Sequence, residues 1–301
     1  MKHSILIIDD EKNLAESLKR AIEKEQPDYF ILSASTEEEV YDKIENMYFN
    51  VAIVDMRLDN FKDDGPEIIK RIIELNPFAK CIITSGYLPS YKKEITDLFS
   101  TGKIADIIEK KEPATYIKEI LSSIKKIVDE FEDNTAINQK ALETYYAEAK
   151  NEKDNFKKGQ KFENFVSILF SQIGFVHINK RVKDKSLNEV DLIVRNEIND
   201  VFFQKFKPYF LIECKNTKEK IDKNQFIQFK TKLDNTNGLS DLGFFITSSA
   251  FKKNTYLEAI RDSSKNQKII FISNIEINKL IKSSNLLETL KSIIDEQVKD
   301  N

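Results

Sequence analysis

Residues 4–11 read SILIIDDE, an unbroken aliphatic run, Ile5–Ile8, that ends on two adjacent carboxylates. A run this short, with no polar alternation, predicts a strand buried on both faces. The pattern returns at residues 51–58, VAIVDMRL, where Val51–Val54 ends on Asp55. Apolar runs at Phe30–Leu32, Cys81–Ile83 and Ile104–Ile108 bring the number to five. Amphipathic helical stretches lie between and after them, at Asn13–Lys24, Thr36–Asn46, Pro66–Leu75, Tyr91–Phe99 and Ala114–Phe131. Five strand–helix units predict an α/β fold with a doubly wound, five-stranded parallel sheet, whose functional groups gather at the carboxyl ends of the strands.

If the first and third strands are neighbours, Asp9, Asp10 and Asp55 converge at that rim. Three like charges within several ångströms repel, and each unit of pKa rise costs ~1.4 kcal/mol, so the cluster calls for a cation. All-oxygen ligands favour Mg²⁺ over zinc. Thr84 closes the fourth strand and Lys110 the fifth, adding a hydroxyl and a fixed positive charge. Such a set suits phosphoryl transfer onto a carboxylate. On LIIDDE, VAIVDMRL, IITSG and ADIIEK, residues 2–128 resemble a response-regulator receiver domain. The resemblance implies that Asp55 is the phosphoacceptor. Asp9, Asp10, Asp55 and the Arg57 backbone carbonyl would hold Mg²⁺, and Thr84 and Lys110 would bind the phosphoryl group. A sensor histidine kinase or phosphotransfer protein is then the implied partner. The sequence departs from the family in three places: Lys111 follows Lys110 where Pro is usual, the Asp55–Gly65 loop is long and lacks its Pro, and Ile107 occupies the position that often carries a switch aromatic. A receiver-like fold kept for interaction alone is the alternative reading.

After Val128 the strand signal stops. Residues 129–157 are polar and helix-prone, which suits a helical linker or a dimerising helix. From residue 158 to 301 a second α/β domain with a mixed sheet is expected. It opens with a helix at Lys158–Ile173, stopped by Gly174. Strands are expected at Phe175–Asn179, Glu189–Val194, Tyr209–Lys215, Gly243–Thr247 and Ile269–Ile272, and Val201–Phe206 suggests a hairpin extension. Helices are expected at Asp222–Leu233, Asn254–Asp262 and Ile275–Lys299, the last broken near Ser283.

Two stretches there carry chemistry, NEVDLIV and FLIECKN. Alternation places Glu213 and Lys215 on one face of a strand and Cys214 on the other. An acid and a lysine two apart in an apolar strand are costly unless something binds them. Asp191 on the neighbouring strand, with Glu213 and the Cys214 backbone carbonyl, makes a metal site in which Lys215 lies close enough to act on the attacking water. With the opening helix KGQKFENFVSILFSQIGF and the later GFFITSSAF, the set resembles the Mrr-like branch of the PD-(D/E)xK nuclease superfamily over residues 157–262. That resemblance implies a Mg²⁺-dependent endonuclease, with Mn²⁺ an alternative metal and DNA the expected substrate. It adds Glu163 as an extra acid and Gln225 or Gln228 as an active-site glutamine. The bases Lys180, Arg181, Lys183 and Lys185 read either as a solvated loop or as phosphate ligands. Lys218, Lys220, Lys223, Lys230 and Lys232 carry the same two readings. His177 reads as a structural histidine.

Composition bounds the rest. The chain has 301 residues, 41% hydrophobic and 32% charged, with two Cys and two His. That excludes a disulfide framework and a Cys/His zinc cluster. No apolar run approaches a membrane span and the amino-terminal run is too short for a signal segment, so a cytoplasmic location is expected. The net charge of −3 hides an asymmetry. Residues 1–133 hold 28 acids and 19 bases, whereas the remainder holds 22 acids and 28 bases. Two partners of opposite character follow: a phosphoryl donor for the first part and nucleic acid for the second. The combined expectation is a phosphorylation-regulated nuclease, the output of a two-component phosphorelay, serving anti-phage or stress defence. The alternative is a response regulator that binds nucleic acid without cutting. A homodimer through the last helix of the first part and the linker would bring two sites to two strands.

Overall fold

A computed structural model describes residues 3–133, 135–183, 189–261 and 267–299. The chain divides into two compact units, Met1–Thr135 and Ala136–Asn301. The first carries β1 (Ser4–Ile8), α1 (Lys12–Glu25), β2 (Phe30–Ala34), α2 (Glu37–Asn46), β3 (Val51–Asp55), α3 (Gly65–Leu75), β4 (Lys80–Ser85), α4 (Lys92–Phe99), β5 (Ile104–Glu109) and α5 (Pro113–Asp133). All five strands run parallel in the order β2-β1-β3-β4-β5.

Strand alternation divides the core of this unit. Leu6, Ile8, Ala52, Val54 and Ile83 pack with Val40 and Ile44 of α2, Ile68, Ile69 and Ile72 of α3, and Leu98 of α4. Ile5, Ile7, Val51, Ile53 and Ile82 pack with Ala15, Leu18 and Ile22 of α1 and with Ile120, Ile124 and Ile127 of α5. Every residue of β1 and β3 is buried, which is why neither shows a polar alternation; each buried aliphatic side chain contributes ~1.5–3 kcal/mol. The strand order reverses direction between β1 and β3, and the crevice at such a switch point is where open α/β sheets place their sites.

The second unit holds α6 (Thr135–Asn151), α7 (Asn155–Ile173), β6 (Ile178–Lys183), β7 (Glu189–Arg195), β8 (Tyr209–Lys215), α8 (Lys223–Asp234), β9 (Leu242–Thr247), α9 (Lys253–Arg261), β10 (Lys268–Ile272), α10 (Asn274–Ile281) and α11 (Leu286–Lys299). Its sheet, β10-β9-β8-β7-β6, is mixed. The β6–β7 and β7–β8 pairs are antiparallel, and the β8–β9 and β9–β10 pairs are parallel. Phenylalanines fill both faces. Phe170, Phe175, Phe203, Phe210 and Phe244 form one connected ring cluster. Phe226, Phe229, Phe245, Phe251 and Phe271 pack with Val190 and Leu211 in another.

Three expectations are corrected here. Val201–Phe206 is no hairpin extension: it forms a turn with a 3₁₀ segment at Phe203–Lys205. Its aromatic residues look strand-like because Phe203 is fully buried in the ring cluster, while Asp200 accepts from the Phe202 and Phe203 amides at 3.0 and 3.2 Å and holds the turn. The first strand lies at Ile178–Lys183 rather than Phe175–Asn179, because Phe175 is taken into the core beside the Gly174 helix stop. The bases Lys180, Arg181 and Lys183 therefore stand on a strand, not in a loop. Within residues 129–157, α6 is part of the second unit: Tyr146 packs on Phe165 with tilted rings whose centroids are 4.9 Å apart, and its hydroxyl donates to Asn274 Oδ1 at 2.7 Å. The helix broken near Ser283 is present as α10 and α11.

Candidate functional site

In the first unit β1 ends before Asp9 and Asp10, and β3 ends on Asp55. One oxygen from each of these three carboxylates lies within 4.8 Å of the others, with Asp9 and Asp55 buried and Asp10 half-buried. Among the described residues this is the one acid group of three close enough to share an ion. Lys110, directly after β5, enters from the far side. Its Nζ donates to Asp9 Oδ2 at 2.7 Å and to Asp55 Oδ2 at 2.5 Å. Burial, and then the Asp9 charge, push the Asp55 carboxyl up against the opposing pull of Lys110. Burial would lower the Lys110 ammonium, but the two aspartates overcome it and raise it. One ammonium against three acids leaves negative charge in a buried, oxygen-only setting, and such a donor set fits a hard divalent cation.

Asp10 and Asp55 open onto a cavity of about 600 Å³ lined also by Arg57, Ser85, Tyr87, Tyr91 and Lys110, among others. The Arg57 side chain turns outward to Asp59, with Nε 2.6 Å from its carboxylate, while the Arg57 amide donates to Asp55 Oδ1 at 3.4 Å. The long Asp55–Gly65 loop returns to its start: the Gly65 amide donates to the Met56 carbonyl at 3.1 Å. A Cβ on Gly65 would stand 2.3 Å from the Asp55 carbonyl oxygen, so no other residue fits there unless the loop moves.

Thr84 pairs in register with Asp55 but is 1% exposed and does not line the cavity. Its side chain acts on the phenol of Tyr116 in α5, which burial pushes up to about 12. Sequence reading missed this aromatic because it searched β5, where Ile107 stands. The signal was the extra turn of chain after Lys110, KEPATY, which carries the first aromatic past the lysine.

In the second unit two neighbouring strands bring the acids together. Leu192 of β7 pairs with Ile212 of β8, so Asp191 and Glu213 follow one step further along the ladder. The Cys214 amide donates to Asp191 Oδ2 at 2.7 Å. Lys215 Nζ lies 2.6 Å from Glu213 Oε1, as expected for one strand face, and Glu213 is 5% exposed. Burial, and then the Glu213 charge, push the Asp191 carboxyl up to about 6. The Lys215 ammonium is raised: burial opposes this, and Glu213 outweighs it. Cys214 is a buried thiol pushed well above its ordinary range by burial, which suits a small core side chain and not a nucleophile.

A second cation holds Glu213. Lys232 Nζ, from α8, lies 2.7 Å from Glu213 Oε2, so each carboxylate oxygen carries an ammonium. Two ammonium groups on a buried acid beside a second acid stand where a divalent ion would neutralise both, and the donor set fits such an ion. Gln225 and Gln228 make no bond to Asp191, Glu213 or Lys215 among the described residues. Gln225 Oε1 accepts from the Asp222 amide in a capping box that starts α8, and Gln228 is exposed. Residues 225, 228 and 232 share one helix face by their spacing, which is the signal that leads to Lys232.

The other candidates divide. Glu163 Oε2 accepts from Arg181 Nε at 2.9 Å, and the Glu163 charge is among those acting on Asp191. Lys180 Nζ is 3.4 Å from Asn164 Oδ1. The Lys183 side chain and Lys185 lie outside the described residues. His177 is half-buried, and its carbonyl accepts from the Arg195 amide at 3.0 Å. The hydroxyls of GFFITSSAF brace the end of β8. Thr247 Oγ1 donates to the Lys215 carbonyl at 2.9 Å, and Ser248 Oγ donates to Asn216 Oδ1 at 2.7 Å.

Comparison with known proteins assigns the two units. Residues 5–122 match the family model of the response regulator receiver domain. Residues 154–281 match a family model described as a restriction endonuclease. Similar solved structures include a CheY-like response regulator receiver domain protein from Methanospirillum hungatei JF-1, at 28% identity over 44% of this chain and 98% of that one, TM-score 0.38. Another is the response regulator TrrA from Thermotoga maritima in complex with Mg(2+)-BeF, at 25% identity over 42% and 99%, TM-score 0.35. No curated protein matches. Among the described residues no helix is long and apolar enough to cross a membrane.

Proposed function

We propose that this chain, a response regulator receiver domain joined to a restriction endonuclease domain, is a nuclease controlled by phosphorylation of Asp55. The observation that carries the reading is the set of Asp191, Glu213 and Lys215 on adjacent strands, with Glu213 buried and bonded to Lys215 at 2.6 Å. It stands in one chain with an intact acid–acid–acid–lysine pocket.

In the receiver, an Asp55 oxygen attacks the phosphorus of a phosphohistidine presented by a sensor histidine kinase or phosphotransfer protein, and the histidine nitrogen leaves. Lys110, already bonded to Asp55, neutralises charge on the transferred group. Asp9, Asp10, Asp55 and the Arg57 carbonyl would hold Mg²⁺, which supplies further neutralisation when bound. Thr84, buried beside Tyr116 of α5, would reach the phosphoryl group by a shift of its side chain, and that shift would pass the modification to α5.

In the nuclease domain, Asp191, Glu213 and the Cys214 carbonyl would hold one or two Mg²⁺ or Mn²⁺ ions, which supply a more acidic water and a charge clamp on the phosphate. Lys215 is placed by Glu213, Thr247 and the end of β8 to orient the attacking water and stabilise charge on the phosphate. DNA is the substrate favoured by the family resemblance. An ungated nuclease would damage its own genome, so the fusion fits stress or anti-phage defence; expression of the activated protein should then be toxic, and Lys215→Ala should abolish that toxicity.

The assay is plasmid cleavage by the full chain with Mg²⁺, with Lys215→Ala and Glu213→Ala as controls. Cleavage lost in both variants is expected. Activity unchanged in both would reject the site, and tight, salt-sensitive binding with no cleavage under Mg²⁺ or Mn²⁺ would favour a regulator that binds nucleic acid without cutting.

A further inference from the structure

Beside the acids, at the first turn of α7, stands an aromatic ring that the proposed chemistry does not use. Phe156 is 70% exposed, although a Phe side chain is ordinarily an anchor of cores and interfaces. The Arg181 guanidinium carbon lies 5.4 Å from its ring centroid, within the range of a cation–π contact.

Arg181 is itself unusual. Its neighbours in β6 pair in register, Lys180 with Leu192 and Val182 with Val190, so Arg181 stands across the ladder from Asp191. It has a φ of +52°, a left-handed conformation that L residues seldom adopt inside a strand and that clusters at ligand sites. Its Nε is held by Glu163 at 2.9 Å. A strained strand residue, fixed by an acid and laid over an exposed ring, thus stands directly opposite Asp191. Lys153 and Lys157, both exposed, flank the ring in sequence.

We propose that Phe156 and Arg181 form a stacking platform for one unpaired base of a nucleic-acid strand whose backbone lies at Asp191 and Glu213. This rests on the nuclease reading and narrows its substrate class to nucleic acid that presents an unpaired or extruded base near the cut. An aromatic face takes any base, and a planar cation beside it adds attraction without selecting sequence. Arg181 covers one side of the ring, and the exposure of Phe156 leaves surface for the base. The exposed lysines match the charge of the strand.

The chain contains no Trp, so Phe156→Trp introduces a sole fluorophore at the platform. The full-length variant, with Ca²⁺ replacing Mg²⁺ to suppress cleavage, is titrated with three fluorescein-labelled DNAs: an oligothymidine strand, the same strand with abasic sites, and a blunt duplex. Anisotropy reports binding, and tryptophan emission reports stacking. Emission should be quenched by the base-bearing strand and not by the abasic strand. Phe156→Ala and Arg181→Lys should each weaken single-strand binding by roughly 5- to 150-fold, the range for loss of one stacked base, and leave duplex binding nearly unchanged. Arg181→Lys keeps the charge but removes the planar face and the Nε–H held by Glu163. Binding of all three DNAs with no base-dependent quenching would overturn the platform while leaving the nuclease reading intact. Absence of binding to any of them would count against that reading, and the platform would fall with it.

Discussion

Glu213 concentrates the electrostatics of the second domain: 5% exposed, one ammonium on each oxygen, and the Asp191 carboxyl beside it. Lys232→Gln leaves one buried oxygen with a weaker partner, so the metal-free protein should lose about 1–3 kcal/mol in urea denaturation. The same variant should bind Mg²⁺ more tightly by calorimetry, because a competing cation has gone; unchanged affinity would show that Lys232 does not occupy the metal's place. Asp191 gives a pH signature. Its carboxyl is raised from 3.8 to about 6, so between these values the folded state binds more protons than the unfolded state. Its contribution to stability therefore falls as pH rises through that window. Asp191→Asn should flatten the fall and stabilise the metal-free protein at pH 7 by ~1–3 kcal/mol; an unaltered slope between pH 4.5 and 7 would contradict this. At this scale the sequence was a good guide where spacing along one strand decides the outcome, as for Glu213 and Lys215. It failed for Lys232, nineteen residues further on, because that contact depends on how α8 lies across β8. Gln225 was within reach: the DKNQ spacing is that of a capping box.

At the level of elements, the connections govern what the acids can do. Gly65 brings the start of α3 against the Asp55 peptide. Gly65→Ala would place a Cβ 2.3 Å from the Asp55 carbonyl oxygen, and the loop must shift, at a cost of about 1–3 kcal/mol. Thermal unfolding should show that loss, together with slower phosphoryl uptake from a small donor. Tyr116 of α5 is the aromatic whose phenol the Thr84 side chain of β4 acts on. Tyr116→Phe should leave phosphoryl uptake nearly intact while reducing the effect of phosphorylation on nuclease rate; equal reductions in both would show that Tyr116 serves only to shape the pocket. The strands of the first unit were legible because burial on both faces leaves uninterrupted aliphatic runs. Around residues 175–206 phenylalanines obscured the pattern, since a ring buried in a turn resembles one buried in a strand. The position of α6 was not legible either, because its contacts, such as Tyr146 with Asn274, join distant parts of the chain.

For the whole molecule, a net charge of −3 is the sum of two domains with different chemistry. Twenty-eight acids against nineteen bases before residue 134 suit a domain proposed to take Mg²⁺ and a phosphoryl group, and twenty-eight bases against twenty-two acids after it suit one proposed to meet a polyanion. The charge asymmetry and the loss of strand signal after Val128 point to a division of the chain, and the structure divides it into Met1–Thr135 and Ala136–Asn301. Coupling between the domains is what their union implies. Plasmid cleavage by the full chain in Mg²⁺, with and without acetyl phosphate and in parallel with Asp55→Asn and Lys215→Ala, addresses it directly. The rate should change by at least about 5-fold on phosphorylation, the lower end of ordinary allosteric coupling, with no change in Asp55→Asn and no cleavage in Lys215→Ala. A parent cleavage rate that is the same with and without phosphate on Asp55 would contradict phosphorylation control of the nuclease.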